Sequence, residues 1–169
     1  MAPTTNRWIW IGTVLCAALL ALPAAVETVR RDRVKAAYPR HIRVVPPLEV
    51  ARMIAGGRKV VFVDVREPEE FREFHIPGAI SAPVRDLGDL DLARLEGADL
   101  VIPYCLKDFR GFEGAKALRG RGVANLALLA GFGIKSWKKS GLPVAGEVSG
   151  LTDAKAGEQL LARAREKRS

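Results

Sequence analysis

The residues with the clearest capacity for chemistry lie in one stretch, 101–111 (VIPYCLKDFRG). A β-type apolar run ends at Cys105, and a segment able to form a helix follows at 112–118. A thiol between the carboxyl end of a strand and the amino terminus of a helix is favoured in its nucleophilic thiolate form. Lys107 and Arg110 add positive charge and Asp108 removes one unit, so the loop favours an anion. These residues alone leave a second interpretation open, an inert buried cysteine.

The segments around this cysteine alternate between strand and helix patterns. Apolar or β-branched runs predict strands at 42–45, 60–65, 79–81, 101–104 and 125–130. Helical patterns occupy the intervals, at 47–55, 67–74, 87–95, 112–118 and 133–139. Such alternation predicts an α/β domain whose parallel sheet is covered by helices on both faces.

Three segments carry a family resemblance: VFVDVREPEEFREFHIPGAISAPV (61–84), the cysteine loop, and LALLAGFGIKSWKKSGLPV (126–144). In order and spacing they resemble a rhodanese-like domain over roughly residues 42–146. The resemblance implies a central parallel sheet of about five strands and a sulfurtransferase activity. The matching residues are Asp64, Val65, Arg66, His75 to Ala79, Cys105, Arg110, Ala115, Leu118, Gly122, Gly131, Trp137, Gly141, Pro143 and Val144.

The resemblance also implies a site. Cys105 would be the catalytic residue that carries a sulfane sulfur as a persulfide, taken from thiosulfate or a persulfide donor and passed to a thiol or protein acceptor. Backbone N–H groups of the loop would stabilise that persulfide, and cationic side chains would bind the donor. The implied substrate-binding residues are Leu106, Lys107, Asp108, Phe109, Arg110 and Arg66.

Two features qualify this interpretation. Phe74, Asp108 and Phe132 replace glycines of the family pattern, and Asp108 restricts the curl of the cysteine loop. Four residues separate Cys105 from Arg110, whereas related phosphatases and arsenate reductases have five, so oxyanion chemistry is disfavoured. The alternative function is a catalytically silent binding or regulatory module at the membrane.

Several other residues have structural interpretations. Asp64 is expected to hold backbone or loop hydrogen bonds, His75 to stabilise its turn, and Trp137 to pack in the core. With two histidines in the chain, and Cys16 in an apolar segment, no metal site is predicted and no cofactor is expected.

Residues 8–26 carry no charge over a length that can cross a bilayer, which predicts a single-pass transmembrane helix. A cleaved signal, with an exported or periplasmic domain, is the alternative. The segment 27–45 carries six basic and two acidic residues, so the positive-inside tendency places the domain in the cytoplasm. That segment also suits anionic lipid headgroups.

Nucleic acid is not an expected partner, because residues 46–146 carry fifteen basic and thirteen acidic side chains, although the whole chain has a net charge of +8. The predicted organisation is a short tail (1–7), the membrane segment (8–26), a basic linker (27–41), the rhodanese-like domain (42–146) and a tail (147–169). The tail is expected to be helical from about Thr152, with Leu160 and Leu161 forming a small apolar stripe. The helix is interpreted either as a solvated surface helix or as a contact surface for a partner or the membrane.

Overall fold

The computed structural model describes residues 42–106, 108–131 and 133–166. Five strands lie in these residues, and every pairing between them is parallel. Their spatial order is β1-β5-β4-β2-β3, in which β4 and β5 meet through a single bridge between Val101 and Leu126. The prediction of a parallel sheet of about five strands is confirmed. The strands are β1 (Arg43–Val45), β2 (Val60–Asp64), β3 (Ile80–Ser81), β4 (Leu100–Tyr104) and β5 (Ala127–Leu129).

Five α-helices connect or follow these strands in the described part of the chain. Two of them begin with a proline, Pro47 and Pro68, whose fixed φ suits the first helical position and whose missing N–H is not needed there. The helices are α1 (Pro47–Ala55), α2 (Pro68–Glu73), α3 (Asp108–Gly120), α4 (Gly133–Lys139) and α5 (Asp153–Glu166).

Helices cover both faces of the sheet, as the alternation of the sequence predicts. Strand β4 is buried along its whole length, and its neighbouring side chains point to opposite faces. Ile102 belongs to the apolar core that also contains Val50 of α1 and Leu160 of α5. Pro103 faces the other way, where a Cβ on Gly114 of α3 would lie 3.4 Å from the proline Cβ. The central strand therefore separates α3 from the helices of the main core.

The carboxyl-terminal helix is part of the core, so its interpretation as a solvated surface helix is wrong. Ala156, Leu160 and Ala164 recur every four residues along α5 and are all buried. Leu161, which was expected to share the apolar stripe, is only half-buried. Small residues on either side of Leu160 allow α5 to pack closely against α1.

The segment 87–95, expected to be a helix, instead contains turns. Short 3₁₀ turns cover Val84–Asp86 and Leu92–Leu95. The Asp91 side chain accepts the N–H of Ala93, a local hydrogen bond that competes with helix formation. Arg121 donates to the carbonyls of Leu87 and Leu90 at 2.6 and 2.8 Å. These tertiary hydrogen bonds satisfy groups that a helix would have bonded internally.

No helix in residues 42–106, 108–131 and 133–166 is long and apolar enough to cross a membrane. The predicted span 8–26, the linker 27–41 and the tail 1–7 lie outside the described residues.

Candidate active site

Cys105 follows the last residue of β4 and lies almost wholly inside the protein, with 2% of its surface exposed. Its carbonyl accepts the N–H of Ile134 at 2.9 Å, which joins it to the start of α4. Gly133 permits this contact, because a Cβ there would lie 2.2 Å from the Cys105 oxygen and its φ is +54°. Only glycine combines that close approach with a positive φ.

Helix α3 begins at Asp108, three residues after the cysteine, whereas the sequence predicted a helix only from residue 112. The position that the family pattern fills with glycine is therefore the first residue of a helix. The N–H groups of the first turn of α3 have no partner within the helix, and they give this end a partial positive charge. Residues 108–110, expected to lie in a curled loop, are thus part of the first turn of a helix.

Two glycines bring α3 close to the sheet beside Cys105. A Cβ on Gly111 would lie 3.3 Å from the carbonyl of Pro103 and 3.5 Å from the Cys105 nitrogen. A Cβ on Gly114 would lie 2.9 Å from a methyl group of Val65. The glycines therefore set the distance between the first turns of α3 and the strand that positions the cysteine.

Arg110 lies in the first turn of α3 and forms a two-point ion pair with Glu70 of α2. Its Nη1 is 2.7 Å from Glu70 Oε2, and its Nη2 is 2.9 Å from Glu70 Oε1. The hydrogen bonds from Arg110 lower the pKa of the Glu70 carboxyl, and those to Glu70 raise the pKa of Arg110. The charge of Cys105 makes a smaller contribution to the raised pKa of Arg110.

Arg66 occupies a different place from Arg110, although both were predicted to bind the donor. Its guanidinium is 1% exposed and lies 2.6 Å from Asp64 Oδ2 and 2.6 Å from the carbonyl of Phe74. Asp64 also accepts the backbone N–H of Arg66 at 3.1 Å, so it holds the local hydrogen bonds expected of it. The described contacts of Arg66 are internal, and its role in donor binding stays a prediction.

The other predicted site residues follow Cys105 in the chain, and those whose burial is described are half-buried. Leu106 is half-buried and packs against the main apolar core. Phe109 is half-buried in the first turn of α3, and Asp108 begins that helix. Lys107 lies outside the described residues.

His75 and Trp137 have the structural roles expected of them. The His75 ring stacks on Phe71 with centroids 3.8 Å apart, and its two nitrogens lie 2.9 Å from the Phe71 carbonyl and 3.2 Å from Asp153. The buried Trp137 contacts Phe62 edge to face and donates to the Pro143 carbonyl at 2.8 Å.

Sequence reasoning missed two residues that shape the site, Glu70 and Gly133. Glu70 lies in the predicted helix 67–74, and its pairing with Arg110 depends on a contact between residues forty positions apart. Gly133 lies two residues after Gly131 in a glycine-rich turn before a helix. That local pattern was the available signal for a close backbone approach.

Comparison with known proteins places this arrangement in a family. Residues 46–140, more than half of the chain, match the rhodanese-like domain, and the chain belongs to the rhodanese-like domain family. The predicted family is therefore confirmed.

Individual relatives and one structure agree with this assignment. The chain is 40% identical over 84 residues to an uncharacterised protein of Synechocystis sp., an alignment that covers 50% of this chain and 46% of that protein. It is 32% identical over 94 residues to a thiosulfate:glutathione sulfurtransferase of Saccharomyces cerevisiae, covering 48% of this chain and 67% of the yeast protein. The chain thus spans about half the length of the Synechocystis relative.

A crystal structure of a thiosulfate sulfurtransferase from Pseudomonas aeruginosa is similar to this fold, with a TM-score of 0.58 and 26% sequence identity. The similarity covers 80% of this chain and 27% of that one.

Proposed function

We propose that this protein transfers sulfane sulfur through a persulfide on Cys105. The Cys105 thiolate attacks the outer sulfur of the donor, forms a sulfur–sulfur bond and releases the remainder of the donor. With thiosulfate the products are the Cys105 persulfide anion and sulfite. The reactants and the products each carry a total of three negative charges. The observation that carries the proposal is the position of Cys105, between the end of a central parallel strand and the first turn of α3.

The surroundings of Cys105 suit this chemistry. The unpaired N–H groups and the positive end of α3 stabilise a thiolate and then a persulfide anion. We assign donor binding to Arg110, which lies in the first turn of α3 and whose pKa is raised in part by the charge of Cys105. We propose thiosulfate or a persulfide as the donor and a thiol or protein as the acceptor. Leu106, Lys107, Asp108, Phe109 and Arg66 complete the proposed substrate-binding set.

Formation of thiocyanate from thiosulfate and cyanide tests the proposal directly. The full chain, solubilised in mild detergent, should turn over, and Cys105→Ser should reduce the rate at least about a thousandfold because the covalent carrier is lost. Circular dichroism and thermal unfolding check that the variant remains folded. Retained turnover in a folded Cys105→Ser variant would remove this mechanism.

A binding or regulatory module is the second candidate, and two observations favour it. Cys105 is 2% exposed, and the guanidinium of Arg110 is paired with Glu70. Intact mass after incubation with thiosulfate and with a persulfide donor separates the two candidates. A gain of one sulfur atom, removable by cyanide, supports the enzyme; no gain from either donor supports the binding module.

We also propose, from the sequence, that residues 8–26 anchor the chain in a membrane with the rhodanese-like domain in the cytoplasm. An exported, periplasmic domain is the alternative. The uncharged segment and the basic flank that follows it support this proposal. Membrane fractionation with a reporter of orientation tests it.

A further inference from the structure

Glu70 forms an ion pair with Arg110, the side chain that the proposed function assigns to binding the sulfur donor. Both of its oxygens face Arg110, at 2.7 and 2.9 Å from the two terminal nitrogens of the guanidinium. A two-point contact of this kind uses the same parallel N–H donors that would otherwise bind the oxygens of an anion. A donor that needs Arg110 must therefore compete with a carboxylate already held in place.

The chain fixes Glu70 in this position through its local structure. Glu70 is the third residue of α2, and its side chain accepts the backbone N–H of Glu67 at 3.3 Å. The Glu67 side chain in turn accepts the N–H of Glu70, which completes a capping box. Arg85 forms an ion pair with Glu67. Glu70 is thus oriented by the start of a helix before it meets Arg110.

The positive charge of Arg110 is consequently balanced in the absence of a donor. Glu70 neutralises the guanidinium, and Glu67, whose charge also acts on Arg110, is itself paired with Arg85. The Arg110 and Glu70 side chains are 37% and 30% exposed, so water screens but does not remove the interaction. A donor with two negative charges experiences twice the repulsion from Glu70 that a donor with one charge experiences.

From this geometry we infer that Glu70 is a specificity-determining residue, which makes the site discriminate against the thiosulfate dianion in favour of donors with less negative charge. This inference rests on the proposed function and narrows its donor class to monoanionic sulfane-sulfur compounds such as the persulfide of a thiol. Glu70 acts by occupying Arg110 and by its own charge.

Two donors with the same reacting bond test the effect of charge. Thiosulfate carries two charges, and methanethiosulfonate carries one; both give the Cys105 persulfide, with sulfite or methanesulfinate as the leaving group. The kcat/KM of each donor is measured with cyanide as acceptor for the full chain in detergent and for Glu70→Gln. Glutamine keeps an oxygen for the Glu67 N–H, so the capping box is preserved while the charge is lost.

We expect Glu70→Gln to raise kcat/KM about tenfold for thiosulfate and about threefold for methanethiosulfonate, mostly through KM, since the Coulomb energy is proportional to donor charge. Glu69→Gln is the matched control. Its side chain is 71% exposed and pairs with Arg72, so the same charge change on the same helix should leave both values nearly unchanged.

An equal effect of Glu70→Gln on the two donors, or a decrease for thiosulfate, would overturn the inference. A decrease would mean that Glu70 positions Arg110 for donor binding. Either result leaves the sulfur-transfer function intact, because the unaltered protein still turns over. If the mass of the unaltered protein shows no sulfur on Cys105 with either donor, the proposed function itself fails, and the inference falls with it.

Discussion

Gly133 shows how one residue without a side chain positions the nucleophile. Its backbone lies against the Cys105 carbonyl, and the next N–H donates to that carbonyl at 2.9 Å. The cysteine is therefore held by contacts from two chain segments, β4 and the start of α4. Any side chain at position 133 must displace the peptide that carries the sulfur.

We expect Gly133→Ala to lower the free energy of unfolding by at least about 2 kcal/mol, from the positive φ and the steric overlap together. Denaturant unfolding measures this change. Gly157→Ala in the middle of α5 is the control, since a Cβ there meets no atom within 4 Å. This substitution should raise the free energy of unfolding by about 0.5–1 kcal/mol. A neutral effect at position 133 would contradict the close approach to Cys105.

Asp64 and Arg66 form an ion pair inside the protein. Two positions apart at the end of β2, the side chains meet in a pocket where both are almost fully buried. Phe74 adds its carbonyl at 2.6 Å, and its ring lies 5.0 Å from the guanidinium carbon. Burial of a charge is tolerated because the pair is hydrogen-bonded on several sides.

At the scale of elements, α5 closes the apolar core. Its buried face packs on α1, and its first residue, Asp153, accepts the Gly78 N–H at 2.5 Å and contacts His75. The helix is thus joined both to the core and to the turn after α2. Residues beyond the matched family region contribute to the stability of the domain.

Replacing Leu160 by alanine should cost about 2–4 kcal/mol of unfolding free energy, because it leaves a cavity between α5 and α1. The adjacent Leu161→Ala change should cost less than about 1 kcal/mol, since that side chain is only half-buried. Thermal or urea unfolding of the two variants provides the comparison. Equally small losses of unfolding free energy in the two variants would indicate that α5 does not pack as described.

At the scale of the whole molecule, the sequence predicts a membrane segment that precedes the rhodanese-like domain. The predicted span and its basic flank come before the domain, with a short polar tail on the other side of the span. Localisation rests on the sequence, because those residues lie outside the described part of the chain.

The full chain should sediment with membranes after a carbonate wash and should be released when residues 8–26 are deleted. A fluorescent reporter that folds only in the cytoplasm, fused after residue 169, should be active if the orientation is as proposed. Activity of a reporter that requires export would instead establish the periplasmic alternative. Recovery of the intact chain in the soluble fraction would rule out the anchor.

The sequence by itself predicted the family, the five strands in their order along the chain and the helices between them, except at 87–95, where short 3₁₀ turns replace the expected helix. These properties depend on local patterns: apolar runs such as VVFVDV, prolines at helix starts, and motif residues at fixed spacing. Even so, the start of α3 was placed four residues late, because the helical pattern of apolar residues begins only after the cysteine loop.

Only the tertiary structure decided which charges meet and which surfaces are buried. Arg110 pairs with Glu70 across forty residues, and Arg66 turns inward to Asp64. Leu160 is buried, whereas Leu161 is only half-buried. Arg121 donates hydrogen bonds to backbone carbonyls of a segment expected to be helical. Except for the pair of Asp64 and Arg66, whose members lie two positions apart, each outcome depends on a partner distant in sequence. Local propensity carries no information about which distant group will complete an ion pair or cover an apolar face.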